Sequence, residues 1–243
     1  MAARANNITL EEYMEKYLWS PLGMTDMTFH PLKKNSVKEK LVDMSVRDSG
    51  ITMFGTTDDP EAKVKYTDDT VWSQETQHCH GGAGAYGNFV QYQSLLHSIC
   101  ADDGKLLQSS TIDEMFKKQL TPAAEAALSA TRNIPAVNNI FGGDPPELKF
   151  NYALGGLVNE TSFPGRREGT LSWGGLPNLL WFIDRKSGIS GGMFQTHLCS
   201  PKVALLISHA GIGAQVAPPG DPKIVALYRE WKLVLYKEAG IEL

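Results

Sequence analysis

Apolar residues first fall into helical register at Leu10, Tyr13, Met14, Tyr17 and Leu18, one face of an amphipathic helix. Thr9-x-x-Glu12 ahead of them is a capping box, in which hydroxyl and carboxylate each satisfy an orphan backbone N–H. Pro21-Leu-Gly23 ends that helix. Residues 30–76 are polar and irregular and predict loops with a short strand or two. The run Gly81-Gly-Ala-Gly-Ala-Tyr-Gly87 is a glycine-dense turn, after which Asn88 caps a second helix. Phe89, Val90, Tyr92, Leu95, Leu96 and Ile99 form its apolar side, and Gly104 closes it. Ser110 or Thr111, with Asp113 and Glu114 behind, opens a short third helix. Residues 121–149, rich in Ala, Asn, Pro and Gly, read as a long surface connection. The pattern then changes: 152–158, 170–173 and 178–184 read as successive strands, with Pro164-Gly165 and Gly174-Gly175 between them, a meander that favours antiparallel pairing. Asp221-Pro222 opens the last helix, whose apolar positions are Ile224, Val225, Leu227, Tyr228, Trp231, Val234 and Leu235. An antiparallel sheet with flanking helices is an α+β layer.

Composition narrows the function classes. The chain has 243 residues, 42% hydrophobic and 21% charged, with a net charge of −4. At about 150 residues per domain this suggests one large domain or two small ones. No basic stripe exists to track phosphates, so nucleic acid is not an expected partner. Cys79, Cys100 and Cys199 form no CxxC pair and read as reduced thiols. The opening residues have no apolar signal core, and the longest apolar run, 203–207, is too short to span a bilayer. A cytoplasmic chain without a membrane span is expected.

Four segments invite a chemical reading. Gly188-Ile-Ser190-Gly-Gly192 matches the Gly-x-Ser-x-Gly nucleophile elbow. That elbow needs a strand running straight into a helix, whereas Asp184-Arg-Lys-Ser-Gly188 looks like a hairpin turn. His197 and His209 also precede the next acid, Asp221, so the order Ser, acid, His is not available. A turn serine is the better reading. His78-Cys79-His80 offers zinc-binding side chains. On an extended segment, however, the imidazoles point one way and the thiol the other. No second ligand pair lies at finger spacing, so a plain loop is expected, with distant partners left open. The glycine run 81–87 lacks a P-loop ending and reads as a turn before a helix. Ser172-Trp-Gly-Gly-Leu-Pro-Asn178 places glycines beside strands, either as a simple hairpin or where a ligand approaches the backbone.

Several segments together, in order, resemble the serine β-lactamase-like and penicillin-binding-protein-like family. Leu10-Glu-Glu-Tyr-Met14 followed by Trp19-Ser-Pro-Leu-Gly-Met-Thr-Asp-Met-Thr-Phe29 is similar to its helix and "PLGM" passage. His80-Gly-Gly-Ala-Gly-Ala-Tyr86 and Gly104-Lys-Leu-Leu107 resemble its "GGxG" segment. Leu154-Gly-Gly-Leu157, Pro164-Gly-Arg-Arg167, Ser172-Trp-Gly-Gly175 and Trp181-Phe-Ile-Asp184 resemble its late strands. The Trp-Gly-Gly form is similar to family VIII esterases and to fungal acyltransferases (transesterases) that finish polyketides in secondary metabolism. The resemblance implies a β-lactamase/transpeptidase-like fold: an antiparallel sheet flanked by helices, plus part of a helical domain. It implies a Ser-x-x-Lys serine that attacks an ester or thioester, with lysine and a Tyr-x-Asn tyrosine moving protons, and an acyl-enzyme passed on to water or an alcohol. It assigns Trp173, Gly174, Gly175 and Leu176 to the cleft wall, with Gly175 or Leu176 giving an oxyanion N–H, and Tyr86 and Trp181 to substrate binding.

Two departures follow. Ser-x-x-Lys occurs nowhere in the 243 residues, and no tyrosine precedes Tyr13. In the family both motifs come before the helix that begins here at Leu10, so no catalytic residue is expected in this chain. The expectation is a C-terminal portion, residues 1–243, of one β-lactamase-like domain, with the N-terminal catalytic portion missing and the chain inactive alone. The alternative is a non-catalytic pseudoenzyme or binding module of the same fold. Second, the family runs directly from a passage like Met193-Phe-Gln-Thr196 to one like Gln215-Val-Ala-Pro-Pro-Gly-Asp-Pro-Lys223, so 197–214 reads as an insertion or an unspliced intron. The expected partner is a small-molecule ester or thioester, a carrier-bound acyl group included, with no metal or cofactor.

Overall fold

A computed structural model describes residues 1–42, 44–47, 59, 61–68, 73–82, 84–175, 178–193, 215–217 and 220–242. After a short helix α1 (Ala2–Asn6), α2 (Leu10–Met14) starts at the expected capping box: Thr9 accepts from the Glu12 N–H while Glu12 reaches back to the Thr9 N–H. The helical path continues at altered pitch, as a π turn (Glu15–Trp19) and a 3₁₀ turn (Ser20–Leu22), and Gly23 ends it in the left-handed region at φ 67°. Leu10, Met14 and Leu18 pack against Trp19, Met24, Met27 and Phe29, whereas Tyr17 lies in solvent. A one-turn helix α3 (Asn35–Lys38) leads to two short strands, β1 (Met44–Arg47) and β2 (Val64–Thr67). With β8 (Gln215–Ala217) they make a small sheet in the order β2-β1-β8, in which β1 runs antiparallel to β2 and parallel to β8.

Asn88 caps α4 (Phe89–Ala101), accepting from the Val90 N–H. The helix ends earlier than expected: Asp102, at φ 51°, is its left-handed cap, two residues ahead of Gly104, which is also left-handed at φ 72°. Val90, read as apolar-side, is exposed. α5 (Ser109–Met115) starts just ahead of the residues expected to open it. The segment 121–149 is corrected more strongly. It holds α6 (Pro122–Arg132) and α7 (Pro135–Ile140), because Thr121 accepts from the Ala124 N–H and each helix begins at a proline, where no N–H is required.

Five antiparallel strands follow in the order β3-β4-β5-β6-β7: Phe150–Ala153, Gly156–Asn159, Leu171–Gly175, Leu179–Asp184 and Ile189–Met193. The single strand expected over 152–158 is in fact the β3–β4 hairpin, turned at Leu154 and Gly155. The period-2 alternation of β6 shows how both sheet faces are buried. Leu180 and Phe182 join Ile224, Tyr228 and Tyr236 of α8 (Pro222–Glu238) on one face. Ile183 and Trp181 meet Leu96, Ile99 and Ile112 of α4 and α5 on the other. Gly191 on β7 is required for this layering, since a methyl group there would sit 2.7 Å from the Trp231 ring. On α8, Val234 is exposed, while Lys232 and Tyr236 are buried. No helix among the described residues is long and apolar enough to cross a membrane.

Candidate functional site

The strand β5 is paired unevenly. Its ladder with β4 covers only Leu157↔Ser172 and Val158↔Leu171, whereas its ladder with β6 continues from Leu171↔Ile183 to Gly175↔Leu179. Gly174 and Gly175 therefore have β6 on one side and no described strand on the other, whereas Trp173 still has Gly156 of β4 beside it. Along such an edge, alternate residues turn N–H and C=O outward together, a ready set of donors for a bound group.

The two glycines differ. A Cβ on Gly174 would lie 2.6 Å from the Leu180 side chain and 2.9 Å from the Ile140 carbonyl, so this position is closed by packing. A Cβ on Gly175 would meet nothing within 4 Å, and Gly175 is exposed. Trp173 is half-buried, with the Phe141 and Tyr152 rings 5.3 and 5.4 Å from its own. These rings form an aromatic wall beside the open edge. Burial raises the Tyr152 phenol above its usual pKa, which keeps it neutral. Leu176, the other expected oxyanion donor, lies outside the described residues.

Behind β5 is a buried ion cluster. Arg166 donates from Nη1 to the Ser172 hydroxyl at 2.8 Å and sets Nη2 3.0 Å from Asp144. Lys232 of α8 lies 3.3 Å from the other Asp144 oxygen, and Arg132 donates to the Asp144 carbonyl. Burial alone would raise the Asp144 carboxyl, but Arg166, then Lys232 and Arg132, outweigh it and hold it below its ordinary value. The Lys232 amine is pushed down to about 8, first by burial and then by Arg166. A cavity of about 340 Å³ opens on this side, lined by Asp144, Phe163, Arg229 and Lys232. Through Arg166 the cluster ties to Ser172 of β5, one residue ahead of Trp173. Arg166 belongs to the Pro164-Gly-Arg-Arg segment, but nothing in a local pattern marks a buried arginine. A second buried pair joins Arg47 of β1 to Asp221, whose other oxygen caps α8 and whose N–H donates to Asn178, shortly after the Trp-Gly-Gly end of β5.

The other candidates disperse. Ser190 lies within β7, not at a strand-to-helix turn, and its hydroxyl accepts from the Gln93 amide at 3.2 Å. Its glycine neighbour Gly191 serves the packing of α8. Trp181 pairs with Trp173 across the ladder but packs into the core with Ile183 and Phe116. Tyr86 is tied by its backbone to Thr28. Tyr86-Gly-Asn88 also spells Tyr-x-Asn, a match the sequence reading missed, but the Asn88 amide is engaged as the α4 cap. His78 and His80 are exposed and Cys79 is half-buried, the alternation expected of an extended segment. Cys79 meets distant partners instead: its sulfur is 3.9 Å from His30 Nε2, which is 3.4 Å from a Glu11 oxygen.

No family model matches the chain. It is 31% identical over 192 residues to the monacolin J acid methylbutanoyltransferase of Aspergillus terreus, an alignment covering 78% of this chain and 44% of that protein. It is 32% identical over 189 residues to the lovastatin esterase of Penicillium rubens, covering 77% and 45% respectively. The solved structure of a simvastatin synthase mutant (LovD6) from Aspergillus terreus superposes with a TM-score of 0.80 at 28% identity, covering 98% of this chain and 53% of that one. The chain thus spans about half the length of the curated relatives it matches.

Proposed function

We propose that the chain, which is homologous to fungal acyltransferases and esterases over about half their length, is the part of a β-lactamase-like serine enzyme that walls the acyl site. The observation that carries this reading is the open edge of β5. Gly174 and Gly175 present backbone to one side with no described strand against it, and Arg166 holds Ser172 just ahead of that edge.

The nucleophile comes from residues outside these 243, which contain no Ser-x-x-Lys. In the assembled enzyme that serine gives up its proton to the lysine–tyrosine pair and attacks the acyl carbon of an ester or thioester. The carbonyl oxygen becomes an oxyanion, and the Gly175 or Leu176 N–H donates to it. Collapse expels the alcohol or thiol, which takes the proton, and leaves an acyl-serine. Water or an acceptor alcohol then repeats the sequence in reverse and carries the acyl group away. The aromatic wall of Phe141, Trp173 and Tyr152 favours an apolar acyl chain. The relatives named above include both a transferase and an esterase, and both chemistries share this acyl-enzyme. Substrates are small molecules or carrier-bound acyl groups in secondary metabolism. The sparse unpaired thiols favour the cytoplasm. Residues 197–214 are an insertion or retained intron within one domain. A transcript read running from the Thr196 codon directly to that of Gln215 supports the intron, and one that keeps the intervening codons rejects it.

Labelling with a fluorophosphonate probe tests the main reading, on this chain and on a form extended upstream. Labelling of the extended form alone is expected. Labelling of this chain overturns the mechanism, and labelling of neither favours a non-catalytic relative.

A further inference from the structure

Among the described residues, Glu11, His30 and Cys79 bring a carboxylate oxygen, an imidazole nitrogen and a thiol sulfur within 4.8 Å of one another. They come from three separate stretches: α2, the segment just after Phe29, and the loop that precedes α4. All three side chains are half-buried.

The direction of the imidazole decides between readings. In a Cys-His-Glu nucleophilic triad, one ring nitrogen faces the sulfur and the other faces the carboxylate. Here the same atom, His30 Nε2, faces both Cys79 Sγ at 3.9 Å and Glu11 Oε2 at 3.4 Å. One proton on Nε2 can serve only one of them, so hydrogen bonding leaves the cluster incomplete. A single cation at the point of convergence satisfies all three. With Zn–N and Zn–O bonds of about 2.0–2.2 Å and Zn–S of about 2.3 Å, a tetrahedral ion separates N from O by about 3.4 Å and S from N by about 3.6 Å. The observed spacings are close to that. The rest of Glu11 is oriented for this role: Oε1 accepts from the Thr28 hydroxyl and the Phe29 N–H, leaving Oε2 to face the imidazole. Such outer contacts hold a ligating carboxylate in place.

We propose that Glu11, His30 and Cys79 form a three-ligand site for a zinc-class divalent ion, with water in the fourth position, that clamps the loop before α4 onto α2. Mixed sulfur, nitrogen and oxygen donors suit zinc and cobalt and disfavour magnesium and calcium. Binding releases the thiol proton. The role is independent of the acyl site at β5.

The test is a Co²⁺ titration of the 243-residue chain and of the upstream-extended form, since both contain the site. Expected are saturation at one equivalent, a thiolate-to-cobalt charge-transfer band, displacement by Zn²⁺ and no competition from Mg²⁺. Cys79→Ser abolishes the band, while Cys100→Ala and the double variant His78→Ala/His80→Ala keep it. Thr28→Val weakens binding by about 10- to 100-fold. In the upstream-extended form without substitutions, Zn²⁺ slows alkylation of Cys79, a reading that needs no variant. The proposal is overturned by the lack of saturable binding in both forms, by a band that survives Cys79→Ser, by a band lost with His78 and His80, or by alkylation of Cys79 that ignores Zn²⁺.

Discussion

Gly174 and Gly175 are neighbours, yet an added methyl group meets opposite surroundings. At Gly174 it strikes a carbonyl held by α7, which side-chain rotation does not relieve, so Gly174→Ala is expected to lower stability by about 1–3 kcal/mol. At Gly175 it enters open space, and Gly175→Ala is expected to shift stability by under about 0.5 kcal/mol. Urea midpoints of the two variants separate them, and equal losses would show that the β5 edge is not open at Gly175. In the extended form, Gly175→Ala should slow probe labelling by narrowing the approach to the backbone. Lys232 carries a pH signature. Folded, its amine releases a proton near pH 8; unfolded, it keeps that proton to its usual 10.5. The unfolded chain binds more protons across that window, so the Lys232 contribution makes stability rise with pH there, with a slope approaching about 1.4 kcal/mol per pH unit. Tyr228 and Tyr236, whose phenols burial holds above their usual value, act in the opposite sense above about pH 10. Denaturation midpoints from pH 7 to 10 should therefore climb for the native chain relative to Lys232→Met, and parallel curves would rule the effect out.

Elements differ in how far their residues announce them. α2, α4 and α8 were legible because cap and apolar period agree: Thr9 with Glu12, Asn88 with Leu96 and Ile99, Asp221 with Ile224 and Tyr228. β6 was legible because Leu180, Phe182 and Ile183 alternate across a sheet buried on both faces. α6 and α7 were lost to composition. Alanine and proline read as connection, although Thr121-Pro122 is a start signal in its own right. The β3–β4 hairpin was merged because Leu154-Gly155 is short and apolar on one side. At the candidate site, pattern could place Trp173 on a strand, although it put Gly174-Gly175 between strands and they lie within β5. The support of that strand could not be placed, because Arg166, Asp144 and Lys232 meet from segments 22 to 88 residues apart, and charge in a sequence is presumed to face solvent. Cys79 shows the same limit. Its local tripeptide correctly predicts alternation, while its partners are 49 residues distant in one case and further in the other.

The described residues form two unequal sheets. β3 and β7 end the larger sheet among the described strands, and β7 is an apolar, charge-free strand, Ile189-Ser-Gly-Gly-Met193. Gln93 donates to the Ser190 carbonyl on this strand. An edge of this kind, short on lysine or proline, is a template for pairing with another chain. If the proposed function is right, the upstream portion of the enzyme supplies the missing cover and also brings the serine to the β5 edge. Produced alone, the 243-residue chain should then bind a hydrophobic dye such as ANS, melt over a broad range and show weak near-ultraviolet dichroism. Co-expression with the upstream portion should suppress dye binding and yield a soluble pair, because burying edge and core surface together stabilises both. A sharp, cooperative melt and strong near-ultraviolet signal from the lone chain would point the other way. The chain would then complete its own sheets, which would favour the non-catalytic module over the divided enzyme.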